Sequence, residues 1–322
     1  MKAIVYEKYG PPDVLELREV DKPVIKDDEV LIKVHATTVS PLDYKFRSGE
    51  VFIARLMSGI RGPRKAILGC EAAGEIEEVG KDVSRFKPGD QVFVDLGPRL
   101  GGYAEYLSCP ERCVALKPAN MSYEETATLS FGGTTALVFL RNLGKIQSGQ
   151  RVLINGASGS VGTYAVQLAK HYGTHVTAVC STSNLEMVKS LGADEVIDYT
   201  QDDFTQNGQT YDIIFDAVAK RTFGQCKGSL NAGGIYLATV ITWGLIFRML
   251  WTKMIGSKKA KFGIQSAKPG DLDFLKDMAE AGELRAVIDR TYPLAEVAEA
   301  HTYAELGHAK GKVVITVAHD EI

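Results

Sequence analysis

Alternating hydrophobic and polar positions dominate the first 120 residues of the chain. The alternation runs through residues 30–34, 74–79 and 91–94, and turn segments such as 10–12 and 87–90 separate these stretches. A period of two that is interrupted by glycine and proline is typical of β-strands with one buried face. The pattern therefore predicts a β-rich region with few helices.

The pattern changes near residue 121, where Ser122 and Glu125 form a capping box ahead of an Ala- and Leu-rich stretch. Short apolar segments then alternate with helical spacing, as in Val161, Ala165 and Leu168. Repeated strand–helix–strand units predict a parallel sheet with both faces covered. The predicted strands are residues 152–154, 176–180, 196–198, 213–216 and 235–240, and the predicted helices include 161–172 and 185–191.

After about residue 266 the pattern predicts helix, strand, helix and strand, at residues 271–281, 286–290, 294–306 and 312–317. Periodicity alone leaves open whether these two strands extend the parallel sheet or return to the first region. A length of 322 residues fits two domains.

Composition excludes several classes of protein. Hydrophobic residues make up 45% and charged residues 24%, which is ordinary for a globular chain and excludes a disordered or fibrous one. Lys and Arg number 37 against 40 Asp and Glu, so there is no electrostatic case for nucleic-acid binding. Five cysteines, an odd and low count, favour a reducing compartment over a disulfide framework.

Membrane and targeting signals are not expected. Residues 2–7 already alternate like a strand, which leaves no room for the apolar core of a signal peptide. The apolar stretch 241–251 is too short to span a bilayer, and Arg248 interrupts it. We therefore expect a cytoplasmic protein without stable membrane insertion.

The glycine motif at residues 156–162 follows a predicted strand and opens a predicted helix. Gly156 permits the tight turn, Gly159 allows the backbone to approach a pyrophosphate, and Gly162 permits close packing of helix and sheet. The exposed amides and the positive end of the helix then face the anion. The spacing is G-x-x-G-x-x-G, and the alternative interpretation is a plain strand–helix turn.

The end of the second strand of this region bears on the choice of cofactor. An NAD enzyme usually carries an acid there, whereas this chain has Ser181, Thr182, Ser183 and Asn184. Hydroxyls and an amide can donate to a 2′-phosphate, which favours NADPH, although the segment contains no Arg or Lys. Ser183 or Asn184 could also cap the next helix, and the two interpretations are compatible.

Taken together, these motifs resemble the medium-chain dehydrogenases/reductases and, within them, the zinc-independent quinone and enone oxidoreductases. The resemblance covers nearly the whole chain and rests on residues 10–15, 40–45, 69–74, 87–90, 101–106, 156–162, 190–194 and 311–314. It implies an α/β fold, with a Rossmann-type doubly wound parallel sheet at residues 122–266. It also implies a discontinuous β-rich GroES-like catalytic domain formed by residues 1–121 and 267–322.

The positions that hold zinc in the alcohol dehydrogenases of this superfamily differ here. Ser40 replaces a cysteine, Cys70 replaces the histidine of a Gly-His-Glu motif, and a lobe of four closely spaced cysteines is missing. A catalytic zinc needs three protein ligands, so we expect a protein without zinc. Without a Lewis acid, hydride transfer is expected to favour quinones and α,β-unsaturated carbonyls, because these acceptors delocalise the developing negative charge themselves.

The resemblance also assigns candidate site residues. Lys45 is expected beside the nicotinamide, as a cofactor-binding and catalytic residue, and Tyr44 in the acceptor pocket; the alternatives are a solvated lysine and a packing tyrosine. The cofactor-binding candidates are Thr135, Gly156, Ser158, Gly159, Ser160, Val161, Ser181, Thr182, Ser183, Asn184, Tyr199, Val240, Phe262 and Lys312. No metal ligand is expected.

Two further segments, 50–65 and 241–262, contain apolar side chains that would suit flat acceptors, including Phe52, Met57, Trp243, Phe247 and Trp251. Dimer packing or a loose membrane contact are alternatives for them. The sequence thus predicts an NADPH-dependent quinone or enone reductase that forms a homodimer, as the family usually does. The alternatives are an alkenal reductase for lipid-derived aldehydes and a scaffold protein that binds NADPH without turnover.

Overall fold

The computed structural model describes residues 1–50, 55–56, 58–60, 62–64, 66–240, 243–254, 257–263, 268 and 270–319. Contacts divide the chain into two compact units. Unit 1 comprises Met1–Phe131 and Lys268–Ile322, and unit 2 comprises Gly132–Ala267. The first unit thus includes a segment beyond residue 121, where the sequence pattern changes.

The strands in chain order are β1 (Lys2–Val5), β2 (Glu16–Glu19), β3 (Glu29–Val39), β4 (Glu71–Val79), β5 (Gln91–Asp95), β6 (Tyr106–Pro110), β7 (Val114–Leu116), β8 (Arg151–Asn155), β9 (His175–Cys180), β10 (Glu195–Asp198), β11 (Tyr211–Asp216), β12 (Leu230–Ala238), β13 (Lys259–Phe262), β14 (Ile288–Pro293) and β15 (Lys312–Thr316). The α-helices are α1 (Pro41–Ser48), α2 (Tyr123–Ala127), α3 (Leu129–Leu137), α4 (Ser160–His171), α5 (Leu185–Ser190), α6 (Phe223–Cys226), α7 (Trp243–Met254), α8 (Asp271–Glu280) and α9 (Val297–Glu305). A π-helical segment, Val138–Gly144, continues α3.

Unit 1 is built around a sheet in the order β14-β15-β3-β4-β5-β7, with β6 also paired to β3. Strand β15 runs antiparallel to β3, with Val313 opposite Val39, so the last two strands return to this unit. Its core is made of the inward-facing residues of these strands, such as Ile32, Val92 and Leu107. The β1–β2 hairpin is connected to this unit by the bridge between Ala3 and Ala104.

Unit 2 contains a six-stranded parallel sheet in the order β10-β9-β8-β11-β12-β13. Numbered within the unit, the order is 3-2-1-4-5-6, the doubly wound arrangement whose strand order reverses between β8 and β11. Leu153, Ile214 and Tyr236 lie in its core. Ligands of such sheets bind at the carboxyl ends of the strands near this reversal, so that edge is where a site is expected.

Several local predictions are confirmed. Ser122 and Glu125 form the capping box of α2, and Gly173, just after α4, has the left-handed backbone expected of a helix end, with φ of +71°. Other segments differ from expectation: residues 41–48 form a helix within the region predicted to be β-rich, and β12 ends at Ala238, before Val240. All five cysteines are free thiols.

No helix within the described part of the chain is both long and apolar enough to cross a bilayer.

Candidate functional site

The glycine loop between β8 and α4 is shaped by close contacts. Gly156 has φ of +81°, a conformation that favours glycine, and the amides of Gly156 and Ala157 donate to the carbonyl of Val179 at 3.1 and 3.0 Å. A Cβ on Gly162 would lie 2.0 Å from the carbonyl oxygen of Gly156. The loop is therefore tied to β9, and the helix sits directly on it.

The amino end of α4 is open toward a ligand. Gly159 is its N-cap, no side chain caps the helix, and its first turn contains no acidic residue. A Cβ on Gly159 would meet only the carbonyl oxygen of Gly156, at 3.6 Å. The hydroxyl of Ser160 is buried and has no hydrogen-bond partner among the described residues. Uncapped amides with an unused buried hydroxyl fit a pyrophosphate.

The carboxyl ends of β9 and β10 lie side by side, because Asp198 pairs with Cys180 in the parallel register. The residues that follow β9 are the 181–184 loop, a 3-10 turn with Ser181 as its N-cap. Tyr199 follows β10, is 55% exposed, and donates its amide to the carbonyl of Cys180 at 3.1 Å. Ser181 and Tyr199, both predicted to bind cofactor, are thus at one edge of the sheet.

Asn184 is placed differently from the helix cap considered from sequence. It stands at the N-cap of α5, but its side chain makes no capping hydrogen bond. Instead its amide nitrogen donates to the hydroxyls of Ser158 and Ser181, at 3.2 and 3.0 Å. Its carbonyl oxygen is buried without a partner among the described residues. Asn184 therefore links the glycine loop to the 181–184 loop and presents an unused acceptor.

Two acidic residues at this edge were not predicted from sequence. The carboxylate of Asp198 accepts from the hydroxyl of Thr182 at 2.5 Å. Asp216, fully buried at the end of β11, accepts from the amide nitrogen of Asn155 at 2.9 Å, which connects the two strands at the reversal point. The available signal was the parallel pattern itself, because it brings the carboxyl ends of neighbouring strands together.

The remaining candidates of unit 2 lie on its other strands and on α3. Val240 follows β12 and is 39% exposed, and Phe262 ends β13 in register with Ala238. Thr135 is buried in α3, the helix in which Gly132 approaches α4 so closely that a Cβ would lie 2.9 Å from the carbonyl oxygen of Ser160. Val240 and Phe262 thus occupy the same edge of the sheet as the glycine loop.

The helix α1 of unit 1 carries Tyr44 and Lys45. It begins at a capping box of Ser40 and Asp43, which explains why a helix forms here within a β-rich region. Burial raises the pKa of the half-buried Tyr44, with smaller contributions from Glu305 and Asp43. Burial lowers the pKa of the half-buried Lys45. A partly desolvated ammonium group interacts more strongly with a negative charge than one in bulk water.

The positions that the resemblance associates with zinc ligands form an internal hydrogen-bond network. The hydroxyl of Ser40 donates to Asp43 at 2.7 Å and lies 3.1 Å from the sulfur of Cys70. The amide of Gly69 donates to Asp43 at 3.0 Å. Burial raises the pKa of Asp43 to about 6 and that of the Cys70 thiol well above its ordinary value.

Glu71, the third residue of the Gly69–Glu71 segment, is paired with a cation. The ammonium group of Lys312 contacts its carboxylate, and the two side chains are 1% and 0% exposed. Ser130 and the amide of Phe131 donate to the other carboxylate oxygen, at 2.8 and 2.6 Å. Lys312, which the resemblance associates with the cofactor, thus has Glu71 as its partner within unit 1.

This donor set does not fit a catalytic zinc. A buried thiol with a raised pKa, a serine hydroxyl and a carboxylate bound to an ammonium group are poor ligands for the metal. Across the described residues, no group of three or more His, Cys, Asp and Glu side chains is arranged to hold a metal ion.

The two segments expected to shape substrate choice are described only in part. Phe52 and Met57 lie outside the described residues, as do the side chains of Trp243 and Phe247. Leu56 and Trp251 are 63% and 52% exposed. The role of these segments stays a prediction.

The glycine loop yields a matched pair of expected results. Gly162→Ala should lower the free energy of unfolding by about 1–3 kcal/mol, because its Cβ would overlap the loop backbone. Gly159→Ala should leave stability within about 1 kcal/mol, since its backbone φ of −86° suits alanine, yet weaken NADPH binding at least about tenfold by blocking approach of the pyrophosphate. Chemical denaturation and calorimetric titration measure the two effects.

Gly228→Ala is the control, because a Cβ there meets nothing within 4 Å. Undiminished NADPH affinity in Gly159→Ala would show that the loop does not bind the pyrophosphate.

A doubly wound sheet with a glycine-rich strand–helix loop at its reversal point is typical of dinucleotide-binding proteins. Comparison with known proteins agrees. Family models match residues 26–119 (alcohol dehydrogenase GroES-like domain) and 191–315 (zinc-binding dehydrogenase). The chain is 33% identical over 359 residues to the mitochondrial NAD(P)H oxidoreductase RTN4IP1 of Danio rerio, covering 100% of this chain and 92% of that protein.

Two further relatives show the same similarity. The chain is 35% identical over 331 residues to the chloroplastic NADPH-dependent alkenal/one oxidoreductase of Arabidopsis thaliana, covering 98% and 79% of the two chains. The structure of the quinone oxidoreductase from Coxiella burnetii superimposes with a TM-score of 0.89, at 32% identity and 99% coverage of both chains.

The chain therefore belongs to the medium-chain dehydrogenase/reductase superfamily and, within it, to the quinone and enone oxidoreductase family. It is an NAD(P)H-dependent oxidoreductase, and the fold class expected from the resemblance is confirmed, including the discontinuous GroES-like domain.

Proposed function

We propose that this enzyme is an NADPH-dependent reductase that works without zinc and transfers hydride to quinones or to the C=C bond of α,β-unsaturated carbonyl compounds. The observation that carries the proposal is the buried network at the positions associated with zinc. There Cys70 contacts Ser40, and the ammonium group of Lys312 already occupies Glu71. An acceptor that spreads its own negative charge needs no metal.

The unused polar groups at the edge of the unit 2 sheet support nicotinamide dinucleotide binding. The amides of Ser160 and Val161, with the hydroxyls of Ser158 and Ser160, are proposed to hold the pyrophosphate. Ser181, Thr182, Ser183 and Asn184 are proposed at the 2′-position of the adenosine ribose, with Tyr199 beside the ribose. Thr135, Val240 and Phe262 are proposed near the nicotinamide. When bound, NADPH supplies the hydride.

On the acceptor side, we propose roles for Lys45 and Tyr44. The half-buried ammonium group of Lys45 is suited to stabilise negative charge that develops on the acceptor oxygen. Tyr44, whose pKa is raised by burial, stays protonated and can donate a hydrogen bond to the same oxygen. Lys312 receives no catalytic role, because its ammonium group is held by Glu71.

Replacing Lys45 with methionine should lower kcat/KM at least about tenfold, because methionine keeps the apolar stem but removes the charge. Steady-state kinetics with a quinone acceptor measure the effect, and thermal unfolding checks that the fold is intact. Lys81→Met, which removes an exposed lysine paired with Asp27, is the control. Unchanged kinetics in the Lys45 variant would remove this residue from the site.

An acceptor panel tests the proposed reaction. NADPH oxidation should be brisk with 9,10-phenanthrenequinone or an open-chain enone, slow with a saturated ketone, and unaffected by a chelator. Rapid reduction of saturated ketones that stops on chelation would contradict the proposal. Faster turnover of lipid-derived aldehydes would favour an alkenal reductase, in line with the name of the Arabidopsis thaliana relative. NADPH binding without any turnover would indicate a scaffold protein.

The homodimer and the cytoplasmic location remain proposals. Strand β13 is the last strand on one side of the unit 2 sheet. Such an edge strand has unpaired backbone groups, through which the sheet of a second copy can be joined to it. The relatives named above are a mitochondrial and a chloroplastic protein. Analytical ultracentrifugation and cell imaging address the two proposals.

A further inference from the structure

The carboxylate of Asp198 lies against the 181–184 loop. Asp198 is the last residue of β10, and it accepts hydrogen bonds from the hydroxyl of Thr182 at 2.5 Å and from the hydroxyl and amide of Thr200 at 2.8 and 2.9 Å. Thr182 lies beside Ser181, the residue proposed at the 2′-position of the ribose. A carboxylate from the neighbouring strand therefore occupies the region where a cofactor-selecting acid acts in NAD enzymes.

The charge of this carboxylate is not neutralised by a nearby cation. Hydrogen bonds, first of all that from the Thr182 hydroxyl, lower the pKa of Asp198, so that it is ionised at neutral pH. None of the ion pairs between described residues includes Asp198. The 181–184 loop itself contains no Lys or Arg. An anion beside the 181–184 loop therefore faces an ionised carboxylate without a Lys or Arg in the loop to offset it.

The hydrogen bonds of Asn184 also disfavour a phosphate at this position. Its amide nitrogen already donates to Ser158 and Ser181, so it has little capacity left to donate to a phosphate. The unused group is the carbonyl oxygen, which accepts hydrogen bonds only. A buried acceptor of this kind offers no hydrogen bond to a phosphate dianion. The geometry therefore differs from the sequence-based expectation that this amide donates to the 2′-phosphate.

We propose that Asp198 is a specificity-determining residue that weakens binding of the 2′-phosphate and so limits the preference of this enzyme for NADPH over NADH. The inference rests on the proposed function, because it concerns the same cofactor site. Ser181 and Ser183 attract the phosphate by donating hydrogen bonds, and the Asp198 carboxylate opposes them by repulsion. The wild-type enzyme is then expected to use both cofactors with affinities that differ less than about tenfold.

Two nucleotide fragments test this inference without turnover. 2′,5′-ADP contains the 2′-phosphate and 5′-AMP lacks it, and calorimetry gives the Kd of each. Asp198→Asn should bind 2′,5′-ADP about tenfold more tightly than wild type, while its Kd for 5′-AMP changes less than about twofold. The gain should shrink when ionic strength rises from low to high salt, because screening weakens the repulsion.

Asp202→Asn is the matched control, because it removes an equal charge from an exposed position further along the same turn. Asp198→Ser is a second variant that keeps a hydroxyl beside Thr182 if the asparagine is poorly accommodated. Equal tightening for both fragments, no tightening, or the same gain in Asp202→Asn would overturn the inference. A wild-type protein that binds neither NADPH, NADH nor 2′,5′-ADP would overturn the proposed function as well. Quinone reduction with NADPH, combined with an unchanged fragment ratio in Asp198→Asn, would overturn this inference alone.

Discussion

Replacing Lys312 with methionine is expected to lower the free energy of unfolding by about 3–5 kcal/mol, because it leaves a buried carboxylate without its cation. Glu71 is 0% exposed and Lys312 1% exposed, so no solvent replaces the lost ammonium group. The hydroxyls of Thr38 and Ser130 and the amide of Phe131 still donate to Glu71, but neutral donors compensate a buried charge only in part. Urea denaturation of wild type and variant at pH 7 measures the difference.

The double variant Glu71→Gln with Lys312→Met is the control, because it removes both charges. The glutamine oxygen can accept from Ser130 and Phe131 while its amide faces Thr38. We therefore expect the double variant to be more stable than Lys312→Met alone, with a coupling energy of about 2 kcal/mol or more. If the double variant lost as much stability as the single variants Lys312→Met and Glu71→Gln lose together, the two side chains would have no coupling energy and the buried ion pair would not stabilise this fold.

Much of unit 2 could be predicted from sequence because its structure is encoded locally. Strands such as β8 and β9 are short apolar segments, and glycines mark the tight turn at Gly156 and the left-handed ends at Gly173 and Gly192. These signals depend on residues that are close in the chain, so the alternation of strands and helices could be predicted from the sequence. Strand β13, with the sequence Lys-Ala-Lys-Phe, has no such pattern and was not predicted. The role of the glycine loop followed from its context between β8 and α4.

Features that depend on distant residues could not be predicted in this way. Asp198 lies beside Thr182 only because β9 and β10 pair in register. Lys312 contacts Glu71 although the two residues are far apart in the sequence. The helix α1 differs from the sequence-based prediction for a local reason: it is short and mostly polar, and its start depends on the capping box of Ser40 and Asp43. The role proposed for Asp198 therefore depends on its position at the carboxyl end of β10, because its residue type alone does not distinguish it from other acidic residues on the surface.

Acid sensitivity is the second large expected effect, and it originates at His301. This side chain is fully buried, accepts from Arg47 at Nδ1 over 3.1 Å, and lies 3.0 Å from the hydroxyl of Tyr103 through Nε2. Burial, with a smaller contribution from the Arg47 charge, lowers the pKa of His301 to about 3. Arg47 is itself paired with Glu305, whose side chain is 32% exposed, so the neutral imidazole lies toward the buried side of this chain of polar groups.

The sign of the pH dependence of stability follows from the pKa of His301 in the folded and in the unfolded state. In the unfolded chain His301 titrates near its ordinary value of 6.5, so between about pH 6.5 and pH 3 the unfolded state binds more protons than the folded state. The stability contributed by neutral His301 is therefore complete above pH 6.5 and is lost as the pH falls. We expect this residue alone to lower the free energy of unfolding by about 2 kcal/mol between pH 8 and pH 5.

His301→Gln isolates this effect, because the glutamine oxygen can accept from Arg47 and its amide can donate to Tyr103, but the side chain does not titrate. The variant should be less stable than wild type at pH 8, and its deficit should shrink by about 2 kcal/mol by pH 5, as followed by urea denaturation at each pH. The matched control is His308→Gln, which removes an exposed histidine. A deficit that stays constant from pH 8 to pH 5 would mean that the folded and unfolded states take up the same number of protons at His301, so that burial does not keep this side chain neutral.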